Sequence, residues 1–475
     1  MSMSDKSILL VQTPPWGFQA APLGIAYISQ YLRTNGFCVN VYDLNIEVYN
    51  KAQASLRQRW DTNQFEYWSM GGVLADNYID INAVVDKILN FNSQIIGFST
   101  SFTSIPLFNE IAKGVRSRSP NTTIIVGGAG PSYFVHRNFF NRDLVDYFVI
   151  GEGELIFYEL IKKISQGNSS FIDNTCVQWK DSPEDHALCL RSKVAPVLDE
   201  LPSPSFEEFD ISDYTEDDLL PIITSRGCIN SCNFCCDWSL KKPFRSRTPD
   251  MVFEEIKFLL TKYHRKRFEF CDLLLNGHLK NLERLCDLLI EAGSPIHWGG
   301  QATVRPDMTK EQFLKLKKAG CGGLTFGFES FSDPLLEKMN KKFKAKDAEL
   351  AIRYAKDAGI IVEGNLIVGF PGEEEVDVER TIQFLKRNRK YIDRVNSLNI
   401  CSIGPGMNVW EKPQDFGIKK DEVKDWYAWH TSDDSNTLDI RMRRHKKIKN
   451  YIEQEQFGLA WENIRKEERI VDKAQ

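Results

Sequence analysis

The chain contains no uninterrupted apolar run near the ~18–20 residues needed to cross a bilayer, so no membrane span is expected. It has no surplus of basic charge: 60 Lys and Arg stand against 65 Asp and Glu, a formal net charge of −5. A nucleic-acid partner would leave a basic footprint, and none is expected. No internal repeat or low-complexity tract is visible, which leaves ordinary globular domains. There is no disulfide framework either. Eleven cysteines, an odd number scattered through 475 residues, read as reduced thiols in a cytoplasm. The short polar stretch Met1 to Lys6 leads straight into a candidate strand, so no signal peptide is expected. A length of 475 residues calls for two or three domains, and a 42% hydrophobic, 26% charged composition is that of a soluble globular protein.

What the chain does have is Ser225-Arg226-Gly227-Cys228-Ile229-Asn230-Ser231-Cys232-Asn233-Phe234-Cys235, a C-x₃-C-x₂-C spacing with an aromatic residue before the last cysteine. Three thiolates can hold three irons of a 4Fe–4S cube and leave the fourth open to a small molecule. Structural zinc wants four ligands, usually as two separated pairs, and no second C-x₂-C or H-x₃-H lies nearby. The adjacent Cys236 is a poor fourth ligand, because neighbouring side chains point apart. Zinc and a disulfide remain the alternatives.

The rest of the chain alternates apolar runs with helical periodicity. Strands are expected at residues 7–11, 39–43, 95–99, 123–126 and 147–150, with helices such as Leu23 to Leu32 between them. This predicts an α/β fold, with a flavodoxin-like, Rossmann-type parallel sheet whose ligand sits beyond the carboxyl ends of its strands. Gly127-Gly128 and Gly151-Glu152-Gly153 fall at those ends, as turn glycines or as a close approach for a flat ligand. Six further strands, at 221–224, 268–274, 296–300, 323–328, 361–368 and 394–401, predict an open, partial (β/α)₆ barrel. A capping box at Thr309 to Gln312 and a Thr248-Pro249 helix start punctuate it. The expected domains are 1–166, a linker and hairpin at 167–214, the barrel at 215–410, and a small, mostly helical region at 411–475.

The cysteine triplet follows Pro221-Ile222-Ile223-Thr224 and precedes Arg245-Ser246-Arg247-Thr248-Pro249, Gly327-Phe328-Glu329-Ser330 and Gly364-Asn365-Leu366-Ile367-Val368-Gly369-Phe370-Pro371-Gly372-Glu373. In this order the chain resembles the radical S-adenosylmethionine enzymes, and within them the group with an N-terminal cobalamin-binding domain. The resemblance runs from about Ser7 to about Lys412. It implies that Cys228, Cys232 and Cys235 ligate a 4Fe–4S cluster whose open iron chelates S-adenosylmethionine. One electron then yields methionine and a 5′-deoxyadenosyl radical able to abstract hydrogen from an unactivated carbon. It further implies that Phe234, Asp272, Arg305, Glu329, Gly364, Ile367 and Gly369 contact S-adenosylmethionine. Pro14, Pro15, Leu23, Gly24, Ser99, Gly127, Gly128, Gly151, Glu152 and Gly153 would contact cobalamin. The loop after the first strand, Gln12-Thr13-Pro14-Pro15-Trp16-Gly17-Phe18, departs from the D-x-H-x-x-G pattern that ligates cobalt through histidine.

The function expected from this resemblance is C-methylation of an unactivated carbon, with cobalamin as methyl carrier. The alternatives are oxidative cyclisation or rearrangement of the tetrapyrrole or natural-product type, tRNA methylthiolation, and a non-enzymatic metal-binding module. A small-molecule or peptide substrate and a low-potential electron donor such as flavodoxin or ferredoxin are implied partners. Gly372-Glu373 is expected to cap the following helix, since an acid suits a helix N-terminus. Cys236, Cys271, Cys321 and Cys401 are expected to pack as small hydrophobes. Trp426, Tyr427, Trp429 and His430 are expected to be core rather than a cover over substrate. The basic run Arg441, Arg443, Arg444, Lys446, Lys447 and Lys449 is expected to be a solvated helix face.

Overall fold

Short apolar runs separated by amphipathic helices fold into two parallel sheets. The computed structural model describes residues 7–60, 65–132, 137–166, 177–179, 196–216, 218–237, 243–418, 426–427 and 429–459. The chain divides into two compact units at Pro221/Ile222. Most of the expected linker at 167–214 lies outside the described residues.

The first unit contains β1 (Ser7–Gln12), β2 (Cys38–Asp43), β3 (Ile95–Thr100), β4 (Thr123–Gly128), β5 (Tyr147–Val149) and β6 (Val177–Trp179), in the spatial order 2-1-3-4-5-6. The first five run parallel; β6 adds an antiparallel edge that the periodicity did not reveal. Ile8, Leu9, Val11, Ile96, Phe98, Ile124 and Val126 are buried, because helices cover a parallel sheet on both faces. Helix Leu23–Thr34 turns Ile25, Ala26, Tyr27 and Leu32 inward, and Gly36 ends the turn at φ +85°. The strand order reverses direction at β1/β3, which is where doubly wound sheets bind ligands.

The second unit is an open sheet with one short ribbon. The strands are β7 (Leu219–Ile222), which straddles the Pro221/Ile222 division, β8 (Ser225–Arg226), β9 (Arg245–Ser246), β10 (Arg267–Phe270), β11 (His297–Ala302), β12 (Cys321–Glu329), β13 (Ile361–Val368), β14 (Arg394–Ile400) and β15 (Gly458–Leu459). The order 15-14-13-12-11-10-7 leaves the barrel unclosed, and β8 and β9 pair antiparallel apart from it. The expected capping box is present: Thr309 Oγ1 accepts from Gln312 N at 3.4 Å, and Gln312 Oε1 from Thr309 N at 2.8 Å. β15 was not anticipated.

Strand alternation sorts the side chains by face. Leu324, Phe326 and Phe328 of β12 and Val362, Leu366 and Val368 of β13 are buried. Among the intervening positions, Thr325, Glu363 and Asn365 are polar and bond across strands. Thr325 Oγ1 donates to Glu363 at 3.0 Å, Arg394 reaches Glu363 at 3.2 Å, and Ser397 Oγ donates to Asn365 Oδ1 at 2.9 Å.

Candidate active site and cofactor cradle

The strand leading into the cysteine loop is fixed before the first thiol. Asp272, two residues past β10, is buried and accepts from Thr224 N at 3.1 Å and from the hydroxyls of Thr224 and Ser225. Arg247 donates to the Ile223 carbonyl at 3.1 Å and pairs with Glu255 at 2.9 Å, both side chains being almost fully buried. Gly227 then turns at φ +88°, a conformation that favours glycine.

The loop itself is bolted down by distant residues. Asn233 N donates to the Met339 carbonyl at 3.0 Å and Asn233 Nδ2 to that of Lys338 at 2.8 Å. Asn340 Nδ2 donates to the Ser231 carbonyl at 2.7 Å, and Asn408 Nδ2 to Asn233 Oδ1 at 3.0 Å. Cys228 Sγ accepts from Asn230 N at 3.4 Å, Cys232 is buried, and Cys228 and Cys235 are half-buried. Burial pushes the Cys228 and Cys232 thiols up, and the cation of Lys341 offsets part of that rise.

Lys341 is the site residue that local sequence signals missed. Helix Asp333–Lys338 ends in a turn with Asn340 at φ +61°, and Lys341 N returns to the Leu336 carbonyl at 2.9 Å. That turn sends the side chain inward, where it is 6% exposed. Its Nζ donates to the Gly327 carbonyl at 2.8 Å, lies 3.3 Å from Glu329 Oε1, and sits 5.7 Å from the centre of the Phe234 ring. Burial works against its charge, but Glu329 and Cys232 outweigh burial and hold its pKa above the ordinary lysine value.

Glu329 reaches this place through a register shift between β12 and β13 and a φ of +65°. Gly327 makes room for it: a Cβ there would lie 2.7 Å from Glu329 Oε1. Burial raises the Glu329 carboxyl, and Lys341 counters that rise.

The residues expected to touch S-adenosylmethionine therefore fall into groups. Phe234 and Ile367 pack against a buried cluster containing Phe370 and Trp429. Gly369 follows β13 at φ +85°. The Asp272 carboxylate is engaged by Thr224 and Ser225. Arg305 forms a bidentate pair with Asp307 at 2.9 and 2.7 Å and donates to the Asn276 and Gly277 carbonyls at 3.0 and 3.2 Å. Gly364 gives its space to Phe328, whose ring a Cβ would meet at 2.6 Å.

Three expectations need correction. The Glu373 carboxylate does not cap the following helix. It folds back to accept from Gly369 N at 2.7 Å, while Glu374 and Asp377 form the capping box. Cys271 is exposed rather than packed, whereas Cys321 and Cys401 are buried. The basic run is not uniformly solvated, since Arg441 and Arg444 are buried.

In the first unit the candidate site is an edge. Gln12 is level with Ser99, Ser99 with Gly127, and Val126 with Phe148, so the loops after β1, β3, β4 and β5 share one side of the sheet. Gly128 and Gly151 are exposed there at φ +87° and +90°. A Cβ on Gly128 would lie 2.6 Å from the Thr100 carbonyl oxygen. Gly127 is half-buried beside them, and Glu152 is the N-cap position of helix Gly153–Ser165. The half-buried Ser99 gives its carbonyl to Thr13 N at 3.1 Å. Leu23 and Gly24 open their helix, with nothing within 4 Å of where a Gly24 Cβ would be. Gly153 serves packing, since its Cβ would meet Ile28 at 2.8 Å.

The loop after β1 has a cis Pro14–Pro15 bond and is held by the fully buried Asn45. That side chain accepts from Trp16 N at 2.8 Å and Trp60 Nε1 at 3.0 Å, and donates to the Gly17 carbonyl at 2.9 Å. Nothing in this loop can ligate cobalt as an imidazole would.

The residues present fit the groups they would hold. Among the described residues, no three His, Cys, Asp or Glu side chains converge on a point that could take one metal ion. A 4Fe–4S cube asks each thiolate for a different iron rather than for one shared ion. The side-chain-free backbone at Gly127, Gly128 and Gly151 lines this edge, and at Gly128 and Gly151 the positive φ disfavours any residue with a Cβ. Among the described residues, no helix is long and apolar enough to cross a membrane.

Residues 222–385 match the radical SAM superfamily, and residues 70–161 match the B12 binding domain. An uncharacterised methyltransferase of Pyrococcus horikoshii is 29% identical over 342 residues, 70% of this chain and 72% of the relative. The anaerobic magnesium-protoporphyrin IX monomethyl ester cyclase of Rubrivivax gelatinosus is 23% identical over 71% of this chain and 64% of its own length. Among solved structures, the radical S-adenosylmethionine methyltransferase TsrM of Kitasatospora setae, with cobalamin and a [4Fe-4S] cluster bound, superposes with a TM-score of 0.64. It is 16% identical, over 88% of this chain and 77% of that one.

Proposed function

We propose that this chain, a cobalamin-dependent radical S-adenosylmethionine enzyme by its two matched domains, takes a 4Fe–4S cluster and transfers a methyl group to an unactivated carbon of a small-molecule or peptide substrate. The observation that carries the reading is the three-cysteine loop set beside the buried Lys341–Glu329 pair. Bound, the three cofactors supply reductive carbon–sulfur cleavage and a transferable methyl group.

The protein's part is placement. Cys228, Cys232 and Cys235 would hold the cluster, and Asp272, Arg247 and Asn233 fix the strand and loop that carry them. Lys341 stabilises thiolates, and it and Arg305 each already hold a carboxylate, Glu329 and Asp307 respectively. Glu329, paired with Lys341, would accept hydrogen bonds from an ammonium or a ribose hydroxyl. Phe234 and Ile367 offer an apolar surface to a purine. Gly127, Gly128 and Gly151 would admit the corrin against backbone, and the loop after β1 would offer cobalt no histidine. A flavodoxin or ferredoxin would deliver the electron.

Similarity to the Rubrivivax cyclase favours a second reading, radical ring formation without methyl transfer. The test is anaerobic turnover of protein reconstituted with iron, sulfide and cobalamin. Equal yields of S-adenosylhomocysteine and 5′-deoxyadenosine support methyl transfer. 5′-Deoxyadenosine alone supports the second reading.

A further inference from the structure

Helix Leu438–Gln454 carries the basic run, yet Arg441 is fully buried. Its guanidinium lies 3.8 Å from the centre of the Trp429 ring and donates to the carbonyls of Asn436 and Trp429, each at 2.8 Å. Its aliphatic stem packs on Gly369, where a Cβ would lie 2.2 Å from Arg441 Cγ. Asn436 is equally buried, and its Nδ2 donates to both the Gly369 and Phe370 carbonyls at 3.1 Å. Only the amide nitrogen can face two carbonyl oxygens, so the orientation is unambiguous.

The rest of this loop is fixed in the same way. Gly369 N donates to Glu373 at 2.7 Å, and Arg444 donates to the Glu373 carbonyl at 2.8 Å. Trp429 Nε1 donates to the Cys401 carbonyl at 3.1 Å, beyond the end of β14. Trp429 and Phe370 share one buried cluster, against which Phe234 and Ile367 pack, with the Phe234 and Phe370 rings edge to face at 6.4 Å. A segment more than sixty residues away in sequence thus fixes the carbonyls of Gly369 and Phe370 and, through Phe370, the ring beside Cys235.

We propose that Asn436, Arg441 and Trp429 are positioning residues for S-adenosylmethionine, clamping Gly369–Phe370 and Phe234 into the surface that receives its nucleoside half. This rests on the function proposed above. Water can satisfy the carbonyls of an exposed loop; a buried side-chain bridge instead selects one conformation and lowers the ordering cost of binding. The clamp acts on binding rather than on bond breaking, so it shows in KM more than in kcat.

The test uses full-length protein reconstituted anaerobically with iron, sulfide and cobalamin. Asn436→Asp is nearly isosteric and sets a carboxylate against two carbonyls, while Arg441→Met keeps the stem and removes the guanidinium. Iron and sulfide content, S-adenosylmethionine affinity by equilibrium dialysis, and the change in the reduced cluster's EPR signal on adding S-adenosylmethionine are measured for each. The expected result is parent-like iron and sulfide with affinity weakened about tenfold, and an EPR change that appears only at correspondingly higher concentration. Where Asn436→Asp fails to fold, Asn436→Ser removes the bridge without adding charge and carries the same expectation. Parent-like affinity in folded variants overturns the clamp while leaving the functional reading intact. A parent protein that takes up cluster but no S-adenosylmethionine overturns both.

Discussion

The two candidate sites are built from opposite materials. The edge of the first sheet is defined by missing side chains: Gly127, Gly128 and Gly151 expose backbone at the carboxyl ends of β4 and β5. The second site is defined by side chains that are present and polar or charged, with three thiols on one loop and the buried Lys341–Glu329 pair beside it. A large, flat, neutral-faced ligand needs shape and close approach. A small charged ligand on a metal cluster needs counter-charges fixed in place. Substitutions should therefore separate the two. Changes at the edge act by adding atoms, and changes at the cysteine loop act by removing charge or ligands.

The largest effect is expected from removing a thiolate. Cys232→Ala should abolish cluster uptake and turnover while leaving cobalamin retention intact, as read by iron analysis and corrinoid absorbance on one sample. Loss of both cofactors together would break the separation.

Next comes Lys341→Met, which leaves the buried Glu329 carboxylate without its cation. Breaking a buried pair from one side costs about 3–5 kcal/mol, so unfolding should shift markedly toward lower denaturant. Adding Glu329→Gln should recover most of that loss in a double-mutant cycle. A single-mutant effect indistinguishable from zero would show that the pair is not formed.

Smaller, and in the other unit, is Gly128→Ala. The positive φ and the 2.6 Å approach to the Thr100 carbonyl predict a cost of about 1–3 kcal/mol, with weaker cobalamin retention and unchanged iron content. Gly24→Ala, with open space around it, is the control for stability.

The smallest effect is a pH dependence. Burial, reinforced by Glu363, raises the Glu269 carboxyl to about 7. An acid whose pKa is raised on folding contributes stability that is fully present below its unfolded value, and this contribution is lost as pH rises through the folded value. Glu269→Gln should therefore leave Tm nearly unchanged near pH 4 and raise it by a few degrees relative to the parent near pH 8. A constant difference across that range would contradict the assignment.

How much of this was legible in the sequence follows from how far each signal reaches. Expected and observed strands mostly differ at their ends by a few residues, because alternation and flanking glycines are local. The Thr309 capping box and the C-x₃-C-x₂-C loop are also local and were found as written. Lys341 was not, because its inward course depends on a left-handed turn at Asn340 and a register shift beside Glu329. Arg441 and Arg444 read as solvated because a run of six cations suggests water. Their burial depends on partners around residues 369–375, roughly seventy residues away. Glu373 read as a cap because an acid suits a nearby helix N-terminus, whereas its carboxylate turns back to Gly369 N.

The central claim is that Cys228, Cys232 and Cys235 alone hold the cluster and leave one iron for S-adenosylmethionine. The most direct measurement is EPR of the reduced, reconstituted protein before and after S-adenosylmethionine is added. The account predicts a cluster signal whose g-values change on addition and that disappears in the Cys232→Ala variant. A signal that persists in that variant, or that ignores S-adenosylmethionine in the parent, would contradict it.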